Sequence, residues 1–198
     1  GCIDKLEAYK QHSTDADLIQ EADYMLVYSA YEQGRPNAVE LLKDYLDVYP
    51  ASRHADEVNF LIGSAHFGQG EYQKAIFWFN ESNIDMLSPE QQEAYCFRLA
   101  YSLLQIGDME KARGYFARIE QIGTKYREAS TYYVAYIDYA TGKYNNALVE
   151  FTRLKDLPDY KERSLYYITQ IYFIQNKYEK VISEGKELLA SYPDSENN

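Results

Sequence analysis

The chain has 198 residues, 46% of them apolar and 22 of them tyrosine, with a net charge of −11 at neutral pH. That apolar share excludes a disordered composition, and the acidic field repels a phosphate backbone, so no nucleic-acid partner is expected. No apolar run is long enough to span a bilayer, and two cysteines, Cys2 and Cys96, make neither a disulfide framework nor a metal site.

Five turn residues, Gly34, Gly70, Gly107, Gly142 and Asn176, each stand between two amphipathic stretches, at intervals of 36, 37, 35 and 34 residues. Self-similarity at that period predicts an all-α fold of stacked helical hairpins, each burying its apolar face only against its neighbours. Taken in order, Cys2, Ile3, Leu6 and Tyr9 have the mutual spacing of Ala75, Ile76, Phe79 and Ser82. Residues 1–12 therefore read as the second helix of an upstream unit. Five hairpin units follow, over residues 15–49, 53–85, 89–121, 125–156 and 159–192, in a single array spanning 1–198.

In the first unit Pro36 is expected to start the second helix, with Ala38, Val39, Leu42, Tyr45 and Leu46 inward. Ser52 is expected to cap a helix from Arg53 to Phe67, with Val58, Ile62, Ala65 and His66 on one stripe. Gly68-Gln69-Gly70 ends that helix, and its partner presents Ala75, Ile76 and Phe79. Ser88-Pro89-Glu90-Gln91 reads as a capping box. Ala112 with Phe116, and Ala147 with Phe151, repeat the offsets of Ala75 and Phe79, whereas Val181 and Gly185 take those places in the last unit and weaken the packing. Gly123-Thr124 is expected to end one helix and cap the next, and Leu157-Pro158-Asp159 makes the last turn between units. Val181, Ile182, Leu188 and Leu189 give the final helix more apolar surface than a capping helix needs. This predicts a fragment of a longer array that self-associates through exposed ends.

No catalytic constellation, metal site or cofactor motif emerges. His12, His54 and His66 lack ligand spacing, and His66, on an apolar stripe, reads as a packed, hydrogen-bonded histidine. Gly68-Gln69-Gly70 follows no strand, so it is not a nucleotide fingerprint. Asn80-Glu81-Ser82 is a glycosylation sequon placed inside a helix, and reads as coincidence.

Glu71-Tyr72-Gln73-Lys74-Ala75-Ile76, after Leu61-Ile62-Gly63-Ser64-Ala65 and before Phe79, resembles a tetratricopeptide repeat. Gly107-Asp108-Met109-Glu110-Lys111-Ala112 and Gly142-Lys143-Tyr144-Asn145-Asn146-Ala147 resemble it too, and the likeness extends over essentially the whole chain. It departs at Gly63, whose place is taken by Val27, Ala100, Ala135 and Thr169 elsewhere. The resemblance implies a right-handed α-solenoid of antiparallel hairpins whose first helices line a concave groove for a peptide or partner protein, without enzymatic activity. Tyr49-Pro50-Ala51-Ser52 and Tyr192-Pro193-Asp194-Ser195 are similar to the punctuation of bacterial envelope proteins with such repeats. These include outer-membrane assembly lipoproteins and Tol–Pal-associated periplasmic proteins. The likeness implies a periplasmic or outer-membrane-associated location, the cytoplasm being the alternative.

Three columns mark the candidate groove. Ten residues before each turn stand Tyr24, Phe60, Phe97, Tyr132 and Tyr166; six before, Tyr28, Ser64, Tyr101, Tyr136 and Gln170; three before, Tyr31, Phe67, Leu104, Tyr139 and Phe173. Offsets of three and four share one helix face. The outer columns suit packing between neighbouring first helices as well as a ligand. The middle column is more telling, because family members often carry polar residues there. The family's Lys and Asn clamp for C-terminal carboxylates does not appear, which argues against an acidic C-terminal tail as ligand. A structural docking segment of a larger envelope protein and a carbohydrate-binding surface remain as other readings.

Overall fold

In a computed structural model, the described residues are Ala8, 15–122 and 124–193. The expectations for Cys2, Ile3, Leu6, Tyr9, His12, Gly123, Asp194 and Ser195 lie outside them. The chain divides into two compact units, Gly1–Gly107 and Asp108–Asn198. The first holds α1 (Ala16–Glu32), α2 (Ala38–Val48), α3 (Ala55–Gly68), α4 (Tyr72–Asn80), a 3-10 turn at Ile84–Met86, and α5 (Pro89–Gln105). The second holds α6 (Met109–Ile122), α7 (Arg127–Ala140), α8 (Tyr144–Leu154), α9 (Pro158–Ile174) and α10 (Tyr178–Ser191). Among the described residues there is no strand.

Within each unit every helix packs on the next along the chain, and the first helices of successive hairpins also meet, α3 on α5 and α7 on α9. The sharp reversals come from the five turn residues. Gly34, Gly70, Gly107, Gly142 and Asn176 all have positive φ, from 57° to 88°, a geometry that costs glycine nothing and asparagine little. Four of the five are closed in the same way, the first by Arg35 N–H on Ala30 O at 3.1 Å. Glu71 N–H donates to His66 O at 2.9 Å, Lys143 N–H to Asp138 O at 2.7 Å, and Lys177 N–H to Tyr172 O at 2.9 Å. These six-to-one bonds satisfy carbonyls that a helix end leaves open.

Second helices bring a small residue and a large one to the core. Ala75 and Phe79, Ala112 and Phe116, and Ala147 and Phe151 are all fully buried, and Ala38 with Leu42 does the same one residue earlier. Gly63 lies directly under Phe79, where a Cβ would stand 2.7 Å from ring Cδ1. In the second unit Ala135, Phe151, Leu154, Ile168 and Ile171 form one buried cluster. Asp138, 1% exposed on α7, is held there by Arg113 of α6 through two bonds of 2.7 Å.

Ser88 caps α5 in the expected reciprocal box with Gln91, and Pro158 stands in the first turn of α9. Three helix starts fall later than expected. Pro36 sits in a turn closed by Ala38 N–H on Arg35 O, so α2 begins at Ala38. Ser52 is buried against Tyr45, with its Oγ 2.7 Å from the Tyr45 hydroxyl, and accepts from His54 N–H in a turn, so α3 begins at Ala55. Thr124 lies in a bend with Lys125 and Tyr126, and α7 begins at Arg127 with no side-chain cap. The sequon Asn80-Glu81-Ser82 lies at the end of α4 rather than inside it, and Ser82 is buried with its hydroxyl on Asp56 O at 2.7 Å.

Candidate functional site

In the first unit the aromatic columns bind α1, α3 and α5 together. Tyr24 stacks on His54 with ring centroids 3.6 Å apart and donates to Glu57 at 2.5 Å; Gln91 of α5 donates to the other Glu57 oxygen. Burial, and then that bond to a carboxylate, push the Tyr24 phenol far above its ordinary pKa. Glu21 is held below the usual carboxylate range, chiefly by its hydrogen bond with His54, with Arg53 beside it.

Ser64 and Phe60 are not open positions. Both are buried, because Arg98 of α5 reaches back to donate to Ser64 Oγ at 2.6 Å and lays its guanidinium 5.5 Å from the Phe60 ring. Tyr31 is half-buried, and burial raises its pKa. Phe67, Phe97 and Tyr72 surround Tyr101, with centroids 5.8, 6.5 and 5.9 Å away. Tyr28 is half-buried, 5.9 Å from Tyr24.

In the second unit Tyr132, Tyr136 and Tyr139 run along α7 and meet a row on α9 that the fixed offsets do not contain. Tyr160 lies 5.9 Å from Tyr132, and Tyr167 lies 6.0 Å from Tyr136 and 5.0 Å from Tyr139. Tyr167 also stacks flat on Phe151 at 4.9 Å, and burial pushes its pKa up strongly. Arg163, between Tyr160 and Tyr167 in sequence, sits 5.9 Å from the Tyr132 ring. Tyr166 leans on Tyr167, Gln170 is half-buried, and Phe173 is 59% exposed against Tyr178. The spacing Tyr160–Arg163–Tyr167, two helical turns, is the signal that marks this row.

His66 is 8% exposed, with Nδ1 2.6 Å from Glu71, as a packed histidine should be; its Nε2 is buried with no hydrogen bond. Among the described residues no three His, Cys, Asp or Glu side chains cluster to hold a metal, and no helix is long and apolar enough to cross a membrane.

Residues 93–121 match the family model for the tetratricopeptide repeat. YrrB, titled a TPR protein with an unusual peptide-binding site, superposes with a TM-score of 0.73 at 15% identity, over 96% of this chain and 93% of its own. This is a tetratricopeptide-repeat fold. Two further solved structures resemble it over nearly their whole length. MamA gives a TM-score of 0.72 at 16% identity, covering 90% of this chain and 94% of its own. PilF of Pseudomonas aeruginosa gives 0.64 at 18%, covering 98% and 92%. No curated protein matches the sequence. Within the tetratricopeptide fold, the aromatic columns lie on the first helices of the hairpins, the faces by which α3 meets α5 and α7 meets α9.

Proposed function

We propose that this chain is a non-enzymatic scaffold that holds a peptide, or an extended segment of a partner protein, on the first-helix faces of its hairpins. The observation that carries the reading is the half-burial of Tyr28, Tyr101 and Tyr136: Tyr28 packs on Tyr24 of its own helix, Tyr101 on Phe67 of α3 and Tyr136 on Tyr167 of α9, and none of the three is fully covered. Such rings are rigid, amphipathic contact surfaces that are already in place before a ligand arrives, so little side-chain entropy is lost on binding. The peptide-binding site named for YrrB supports the same use of the fold. The Tyr-Pro-x-Ser punctuation at Tyr49 and Tyr192 supports a bacterial envelope location.

The test is a selection of random peptides on the folded protein, followed by substitution. Tyr101→Ala and Tyr136→Ala should each weaken a selected peptide by about 1–3 kcal/mol, with little dependence on salt. Unchanged affinity in both folded variants would sink the reading. A steep loss of affinity in moderate salt would move the ligand to the acidic outer surface.

A further inference from the structure

The tyrosine cluster of the second unit differs chemically from an ordinary half-buried aromatic patch. Tyr136, Tyr139, Tyr144 and Tyr166 pack by their rings against Tyr167 and one another, yet none of their four hydroxyls forms a hydrogen bond among the described residues. They are half-buried side chains whose polar tips are left to whatever lies on the surface. Charge is sparse there. The groups that act on Tyr139 besides burial are the phenols of Tyr166 and Tyr144, whereas Glu128, Asp159 and Arg163 act on Tyr160, at the start of α9 and two turns before Tyr167. The surface therefore offers flat rings and neutral O–H donors together.

A ligand that matches must bring acceptors, carry no charge and present saturated carbon to the rings. A polypeptide in a helix or sheet has already committed its carbonyls, and an ordinary extended chain loses more backbone freedom when it is fixed against the rings. A polyproline II segment has carbonyls that make no internal hydrogen bond, lacks N–H at every proline, and loses little entropy on binding. We infer that the tyrosine cluster of α7, α9 and the start of α8 is a docking site for a proline-rich segment of a partner protein, which rests on the groove reading above and names the class of ligand. Rings take the pyrrolidine faces, and the hydroxyls of Tyr136, Tyr139, Tyr144 and Tyr166 donate to the peptide carbonyls.

The probe is an uncharged, end-blocked oligoproline of about ten residues, long enough for three turns of polyproline II helix, titrated into the isotopically labelled chain and followed by amide chemical shifts. Residues of α7, α9 and the start of α8 should shift, and a glycine–serine peptide of equal length should leave them unmoved. Tyr136→Phe and Tyr139→Phe keep the ring packing and remove one donor each, so each should weaken the oligoproline about three- to tenfold. Absence of shifts at millimolar probe, shifts confined to other helices, or undiminished binding by both Phe variants would overturn the proposal. So would a neutral oligosaccharide shifting these residues where oligoproline does not. The randomly selected peptides separate this failure from that of the parent reading. If they map to this face without enrichment in proline, only the proline assignment falls. If neither they nor oligoproline map to a first-helix face, both fall.

Discussion

The second hairpin, α3–α4, and the last, α9–α10, make the same contact with its two halves exchanged. In α3–α4 the first helix supplies Gly63 and the second supplies Phe79 sixteen residues later; in α9–α10 the first supplies Thr169 and the second Gly185, again sixteen later. Under Phe79 there is no room for a Cβ at Gly63, which would meet the ring at 2.7 and 2.8 Å. Over Thr169 there is room at Gly185, where a Cβ would touch the threonine methyl at an ordinary 3.9 Å. The threonine hydroxyl is turned onto its own helix, donating to Leu165 O at 2.8 Å, which leaves the methyl to face α10. A hairpin of this kind needs complementary bulk across the layer and is indifferent to which helix carries it. In α10 Leu188 is buried, while Ile182 and Leu189 are more than half exposed.

The strongest way to break the comparison is to remove the bulk. Phe79 is fully buried between Phe60, Tyr95 and Gly63, so Phe79→Ala should cost about 3–5 kcal/mol in denaturant unfolding. Equal stability for this variant and the parent would show that the layer is not held by the ring. Next in size is the reverse error. Gly63→Ala overfills the same contact and should cost about 1–3 kcal/mol, even though alanine is the better helix former; a gain would mean that the ring can shift aside.

Much of this hairpin grammar is legible from residue order because it is local. A left-handed residue at each reversal and an alanine–phenylalanine pair at fixed offsets follow from backbone sterics and helical period, and Gly34, Gly70, Gly107, Gly142 and Asn176 all hold that conformation. Helix starts are less legible, since the competition for a capping hydroxyl is not local: Ser52 is taken into the core by Tyr45, seven residues away. The candidate site is legible only in its ring bodies. Fixed offsets found Tyr132, Tyr136 and Tyr139 but not Tyr160 and Tyr167, which stand sixteen and nine residues before Asn176, outside the three columns, on the side of α9 that meets α7. They also placed Ser64 in the middle column of the groove, whereas Arg98 from the next hairpin donates to it and lies against Phe60, the outer-column ring beside it.

A third substitution sharpens the comparison at another layer. Twelve residues before the turn, α3 carries Val58 and α9 carries Ser164, both wholly buried. The Ser164 hydroxyl has no hydrogen-bond partner among the described residues. A buried hydroxyl without a partner keeps its desolvation penalty and returns nothing, so Ser164→Ala should stabilise the protein by about 1–2 kcal/mol. A loss of stability would mean that the hydroxyl is bonded in solution and that the last hairpin is better satisfied than the second-hairpin comparison suggests.

The smallest expected effect tests the exchange of bulk most directly. Gly185 lies in the interior of α10 with no positive φ, so its flexibility serves no backbone need and weakens the helix. A methyl there meets only the Thr169 Cγ2, at contact distance, so no neighbour has to move. Gly185→Ala should therefore stabilise the protein by about 0.5–1 kcal/mol, through a less flexible unfolded chain and a slightly better filled layer. The same glycine-to-alanine change thus carries opposite signs at Gly63 and Gly185, on the two sides of one kind of contact. If thermal unfolding shows both destabilising, Gly185 is spacing the helices rather than merely vacating the place that phenylalanine holds in the three preceding hairpins, and the exchange of bulk between α3–α4 and α9–α10 is not a real equivalence.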